Sequence, residues 1–148
     1  MQNGAILFDL EAASSEEAIR ALCGALCAKG LIKDSFAEAA IKREQAFPTG
    51  LPTEIIKIAI PHTDAIHVIS SSWAAARLAH PVPWQSMEDP DETLDVEFVI
   101  LLATDDPKAQ LPFLRKITRV FQDSSILCSL RDAKSENDIL RALDFLSE

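Results

Sequence analysis

Two of the three histidines in this 148-residue chain fall in one short stretch, Ile58-Ala-Ile-Pro-His62-Thr-Asp-Ala-Ile-His67. A β-branched apolar run stops at Pro61 and a histidine follows at once. That layout delivers a ring nitrogen to the end of a buried strand, where ligand sites of α/β sheets collect. An imidazole of ordinary pKa, ~6.5, keeps a large neutral fraction at neutral pH and can act as a nucleophile. A lone histidine in an arbitrary chain more often serves as a core or capping residue; the position after strand and proline weakens that reading without displacing it.

Arg43 is the second candidate. In the run from Ser35 to Phe47, the residues Phe36, Ala39, Ala40 and Phe47 make an apolar stripe, with Glu38, Lys42 and Gln45 opposite. At about 100° per residue Arg43 falls in the middle of the stripe. An inward guanidinium needs a partner, because an unpaired buried charge is costly. Either an ion pair with Glu44 or Asp64, or a pocket that receives an anion, would meet that need. Gln110, in line with Leu114, Ile117 and Phe121, is the third candidate. Its amide could cap a helix, the better reading of that residue alone, or donate to a ligand beside the helix N-terminus.

His62, Asp64 and His67 could also be read as a metal cluster. Their spacing matches neither the two-histidine helical zinc motif nor a paired-ligand finger, so no metal is expected. His67 is read as a supporting or surface residue and His80, before Pro81, as a solvated loop residue. Trp73 and Trp84 are read as packing residues. G-x-S-x-G, the P-loop and G-x-G-x-x-G are all missing from the sequence, which disfavours serine hydrolases and nucleotide-dependent enzymes.

The elements that must position these residues alternate in type. Residues 5–10 read as a strand. A helix follows from Ser14 or Ser15, where Ser14-x-x-Glu17 has capping-box spacing, to a stop at Gly30. A second helix spans 35–47. Strands are expected over 55–60, 72–79 and 94–103, the last central and covered on both faces. Residues 81–93 read as a Pro-rich acidic loop. Helical spacing returns after Pro107, with Pro112 placed in the first turn, where amide donors are unpaired anyway. A short helix near 124–131 and a capped one over 135–146 complete the chain. The pattern predicts an α/β sandwich, one domain over residues 1–148, with helices on both sheet faces.

Composition narrows the class further. Fourteen basic and 23 acidic residues give a formal net charge of −9, which argues against nucleic acid and against anionic membrane surfaces. With 48% hydrophobic residues the chain can build a core without disulfides. Cys23, Cys27 and Cys128 form no ligand pattern, and Cys23 and Cys27 read as core residues of a protein in a reducing cytoplasm. No signal-type leader and no membrane span are expected.

Taken together, Lys42-Arg-Glu44, Phe47-Pro-Thr-Gly-Leu51 and Ile58-Ala-Ile-Pro-His62-Thr, in this order, resemble the enzyme IIA domain of the fructose/mannitol class of the bacterial phosphoenolpyruvate-dependent sugar phosphotransferase system. The resemblance extends over nearly the whole chain. Pro-His-x-x-Ala-Ile-His and Gln110-Leu111 look most like the galactitol-type branch. It implies a mixed, about five-stranded sheet flanked by helices. It also implies that His62 accepts a phosphoryl group from the phosphocarrier HPr and passes it to a cysteine of a cognate enzyme IIB, with Arg43 beside the phosphohistidine and no cofactor. One departure stands out: relatives of the mannitol and fructose type carry a second active-site histidine where this chain has Gln110.

The expected chemistry is phosphoryl transfer through a loose transition state, catalysed by alignment and electrostatics. Thr63 and Gln110 are candidate phosphoryl donors of hydrogen bonds, a backbone carbonyl is expected to hold the second ring nitrogen of His62, and Leu51, Ile60 and Ile66 are expected to rim the docking surface for the partner proteins. Two other readings remain open on the residues: a regulatory module whose contacts depend on phosphorylation of His62, and a small metal-dependent hydrolase on His62, Asp64 and His67.

Overall fold

A computed structural model describes residues 3–147. In chain order the elements are β1 (Asn3–Leu10), α1 (Ser15–Ala28), α2 (Phe36–Ala46), β2 (Gly50–Leu51), β3 (Lys57–Ala59), a 3₁₀ turn (Ala65–His67), β4 (Ser72–Gln85), β5 (Thr93–Ala103), α3 (Pro107–Val120), α4 (Ser124–Arg131), α5 (Glu136–Ala142) and a final 3₁₀ turn (Asp144–Ser147). The strands form one mixed sheet in the order β1-β4-β5-β3-β2. β1 runs parallel to β4 and β3 parallel to β5, whereas β4–β5 and β2–β3 are antiparallel.

Period-two alternation sends side chains to two apolar layers. Ala74, Ala76, Leu78, Val99 and Leu101 pack against α1 and α2. Trp73, Ala75, Ile58, Ile60, Phe98, Ile100 and Leu102 pack against α3, α4 and α5. β5 is the middle strand and is buried without a break from Phe98 to Ala103, as its continuous apolar run predicts. Its first half belongs to a different phase. Leu94 and Val96 face the α1/α2 layer, and the register slips between the pairs Arg77–Phe98 and Val82–Val96. That irregularity returns the strand to correct burial on both faces.

α1 begins as its sequence predicts. Ser14 accepts from the Glu17 amide, while Glu17 reaches back to the Ala13 amide, one residue earlier than in the standard capping box. Gly30, at φ 71°, closes the helix in the left-handed region where a glycine has no Cβ to clash.

Four expectations change. The strand expected over 72–79 runs on to Gln85, so His80, Pro81 and Pro83 lie in β4 and the true loop begins at Ser86. Prolines are tolerated there because β1 ends opposite Leu78, leaving that stretch of β4 with only β5 beside it. The strand expected over 55–60 shrinks to Lys57–Ala59. Pro112 lies in the second turn of α3, since the helix already starts at Pro107 behind the Asp106 cap. It is tolerated because it is solvent-exposed, so a carbonyl without its helical donor can turn to water. The last helix, expected over 135–146, stops at Ala142 and tightens into the 3₁₀ turn.

Candidate functional site

His62 stands three residues beyond β3, and the partner strand holds it there. The Leu102 amide donates to the Pro61 carbonyl at 3.0 Å, and His62 forms an isolated parallel bridge with Leu102. The ring is 6% exposed. Its Nδ1 lies 2.8 Å from the Ile60 carbonyl oxygen. A carbonyl can only accept, so Nδ1 carries the proton and the Nε2 lone pair is left free. Burial pushes the pKa of His62 below its ordinary value. The nearby Arg43 charge adds to this, while the Ile60 bond and Asp64 oppose it. The result is a neutral, oriented nucleophile.

The ring lines a cleft of about 670 Å³ between α3 and the segment after α2. Arg43, in the last turn of α2, lines it as well. The guanidinium carbon sits 5.5 Å from the centre of the Phe47 ring. Arg43 makes no ion pair among the described residues, and its Nε is buried with no hydrogen-bond partner. Neither Glu44 nor Asp64 takes the role of counter-ion that the sequence left open.

Glu44 is instead buried on the other side of the turn. It accepts from the Thr49 amide at 2.6 Å, the Thr49 hydroxyl at 2.6 Å and the Trp84 indole N–H at 2.8 Å. Desolvation raises its pKa, and these three donors and the field of Arg43 offset part of that rise. This bonding gives the Thr49-Gly50-Leu51 run a physical meaning. Thr49 anchors Glu44. Gly50 lets the β4 backbone approach, since a Cβ there would lie 2.6 Å from the Gln85 carbonyl oxygen. Leu51 pairs with Ile58.

Gln110 does not cap α3, because Asp106 does so through the Lys108 amide. Its amide donates to the Thr63 carbonyl at 3.0 Å and so ties α3 to the residue after His62. The other ends of the cleft come from Phe47, Met87, Leu111, Leu114, Arg115 and Arg119.

A family model described as "Phosphoenolpyruvate-dependent sugar phosphotransferase system, EIIA 2" matches residues 1–145. The chain belongs to this EIIA family. It is 38% identical over 105 residues to the galactitol-specific EIIA component of Escherichia coli (strain K12), an overlap covering 71% of this chain and 69% of that protein. It is 32% identical over 136 residues to the 2-O-alpha-mannosyl-D-glycerate-specific EIIABC component of the same strain, covering 88% of this chain and 20% of that longer protein. Among solved structures, the mannitol IIA of Escherichia coli superposes with a TM-score of 0.75 at 24% identity, covering 93% of this chain and 94% of that one. A complex of that IIA with phosphorylated IIB also superposes at 0.75. The five-stranded α/β fold is thus that of EIIA domains, and membership implies a phosphotransferase role.

Several residues expected at the site of this EIIA sit elsewhere. Leu51 and Ile60 are 5% and 1% exposed, so neither rims a docking surface; Ile60 forms the cleft wall and supplies the carbonyl that holds His62. Ile66 is 70% exposed but does not line the cleft. The exposed apolar side chains that do are Phe47, Met87 and Leu111. Phe47, expected inside the α2 stripe, is 65% exposed, and Ile41 and Glu44 take its place in the interior. Thr63 is buried, with its carbonyl bonded to Gln110. The His67 ring nitrogen Nδ1 meets the Ser35 hydroxyl at 2.7 Å, at the start of α2, so His67 does not converge with His62. Among the described residues no group of three or more His, Cys, Asp or Glu is placed to hold a metal ion.

Sequence reasoning missed the Glu44–Trp84 bond, which joins residues forty apart and carries no local signal. The cleft side of α3 was legible in principle: residues 111, 115, 118 and 119 recur at helical spacing beside the buried stripe.

Proposed function

We propose that this chain is a phosphocarrier in which His62 Nε2 takes a phosphoryl group from phosphorylated HPr and hands it to a cysteine of a cognate enzyme IIB, coupling to uptake of a sugar or polyol in the galactitol-like branch. The observation that carries this reading is the 2.8 Å contact of Nδ1 with the Ile60 carbonyl, beside an arginine with no anionic partner. The first orients a lone pair toward the cleft. The second leaves positive charge available where a phosphoryl group would arrive.

The steps follow from these groups. The Nε2 lone pair attacks phosphorus in line while the bond from phosphorus to the donor's nitrogen breaks, and that nitrogen recovers its electron pair. The His62 ring gains positive charge as the new N–P bond forms, and the Ile60 carbonyl, already accepting from Nδ1–H, stabilises it. Arg43 offers its N–H groups to the equatorial oxygens, whose charge grows in a loose transition state. In the second half-reaction a thiolate attacks the same phosphorus, and the electron pair returns to Nε2. Thr63 and Gln110 support the loop. Gln110 gives one N–H to the Thr63 carbonyl and keeps a second N–H that this bond does not use.

The partners would dock over the cleft, on Phe47, Met87 and Leu111. No described helix is long and apolar enough to cross a membrane. The test is transfer of labelled phosphate from phosphoenolpyruvate through enzyme I and HPr. The expected product is an acid-labile, base-stable label on the wild type that is missing from His62→Ala. Persistent labelling of the variant, or an unlabelled wild type, would refute the assignment.

A further inference from the structure

The carboxylate of Glu44 is the anion nearest in sequence to Arg43, and the two are close enough for the arginine to lower the pKa of Glu44. Yet they form no ion pair. The reason lies in how the two carboxylate oxygens are used. Oε1 accepts the Thr49 hydroxyl, and Oε2 accepts both the Thr49 amide and the Trp84 indole N–H. Burial makes these bonds demanding, since an ionised carboxylate away from water must keep its donors. The bonded carboxylate is thereby drawn toward β4 and away from the cleft, and Arg43 keeps a buried Nε with nothing to donate to.

We infer that Glu44 is a positioning residue acting through Arg43: Thr49 and Trp84 sequester its carboxylate so that the guanidinium stays free for the phosphoryl group. The inference rests on the phosphocarrier reading for its consequence, but its physical content, which anion Arg43 meets, can be measured without transfer. A carboxylate released from Thr49 remains in the field of Arg43 and is free to turn toward it and form a pair. The incoming phosphoryl group must then break that pair before it can bind.

The variant that releases Oε1 is Thr49→Val, which keeps side-chain volume and removes the hydroxyl. It should slow phosphoryl acceptance from phosphorylated HPr by up to about fivefold, the loss expected when a competing ion pair worth up to about 1 kcal/mol must open first. It should also move the Arg43 Nε–H resonance in a nitrogen–proton correlation spectrum. The deciding measurement is the double variant Thr49→Val/Glu44→Gln, whose neutral amide does not compete for the guanidinium. It should return both the rate and the resonance to near wild type, within about twofold for the rate, as a coupled pair requires. Trp84→Phe with and without Glu44→Gln repeats the comparison should Thr49→Val fail to fold. A role limited to stapling the turn predicts the opposite, a double variant no better than Thr49→Val; that result, or an unmoved Arg43 resonance in Thr49→Val, overturns the inference. If the resonance moves and recovers while the wild type takes no label, the sequestration stands and the phosphocarrier reading falls.

Discussion

Replacing Arg43 by lysine separates a functional from a structural arginine. The structure sets both sides of the comparison. On the stability side, Arg43 has no ion pair to lose among the described residues. Its contact with the exposed Phe47 ring is worth ~0.5–1 kcal/mol. Its buried Nε without a partner costs about 1 kcal/mol, and lysine has no atom there that must donate. The two nearly cancel, so Arg43→Lys should unfold within about 1 kcal/mol of the wild type, a midpoint shift of no more than ~2–4 °C for a domain of this size. On the functional side, lysine keeps the charge and loses the planar fork. One charge-assisted hydrogen bond to an equatorial oxygen is worth ~1.5–3 kcal/mol, which slows transfer roughly tenfold to a hundredfold. Single-turnover transfer from phosphorylated HPr measures the rate and urea unfolding the stability. Lost stability of several kcal/mol with an undiminished rate in the folded fraction would refute the reasoning, because Arg43 would then be a packing residue.

Three further outcomes are expected. Burial holds the pKa of His62 below 6.5. The unfolded chain therefore takes up a proton on this residue as pH falls from 6.5 toward the folded value, and the folded chain does not. The contribution of His62 to stability is complete above pH 6.5 and is lost through that window, so the pH dependence of urea unfolding should flatten there in His62→Gln; an identical profile in the two proteins would show that the ring is not buried neutral. Gln110→Ala removes the 3.0 Å bond to the Thr63 carbonyl, and should cost about 1 kcal/mol in denaturant unfolding while transfer slows less than ~tenfold; a larger loss of rate at unchanged stability would mean that the amide mainly binds the phosphoryl group. Arg115→Glu/Arg119→Glu reverses charge on the α3 wall of the cleft, so it should change KM for a protein partner and the salt dependence of KM while kcat holds; an unchanged KM at low salt would show that partners do not use this side of α3.

Much of this EIIA was legible one residue at a time. The strand-proline-histidine order placed His62 at a strand end, and the expectation that a backbone carbonyl would hold its second nitrogen is met by Ile60. The α2 periodicity left Arg43 either an ion pair or an anion to meet, and the ion pair with Glu44 or Asp64 is not formed; it misplaced Phe47, which is the C-cap and 65% exposed while Glu44 takes an interior position. The docking residues were the least legible. Leu51, Ile60 and Ile66 were chosen for closeness to His62 in the chain, whereas only Ile60 of these lines the cleft, and much of its wall comes from Met87 and α3, 25 or more residues further on.

Local chemistry needs only neighbours in the chain. Caps, strand alternation, the glycine stop at Gly30 and the free lone pair of a histidine held by a carbonyl two residues back are all within one turn or one strand, so the amino-acid sequence alone determined them. What tertiary structure decided was which distant polar groups meet. Glu44 precedes Trp84 by forty residues and Thr63 precedes Gln110 by 47, and only the packing of β4 and α3 onto the sheet brings each pair within hydrogen-bond reach. Hydrogen bonds act over about 3 Å, so nothing in the linear spacing could say that Glu44 would be bonded away, or that Arg43 would be left to serve whatever anion enters the cleft.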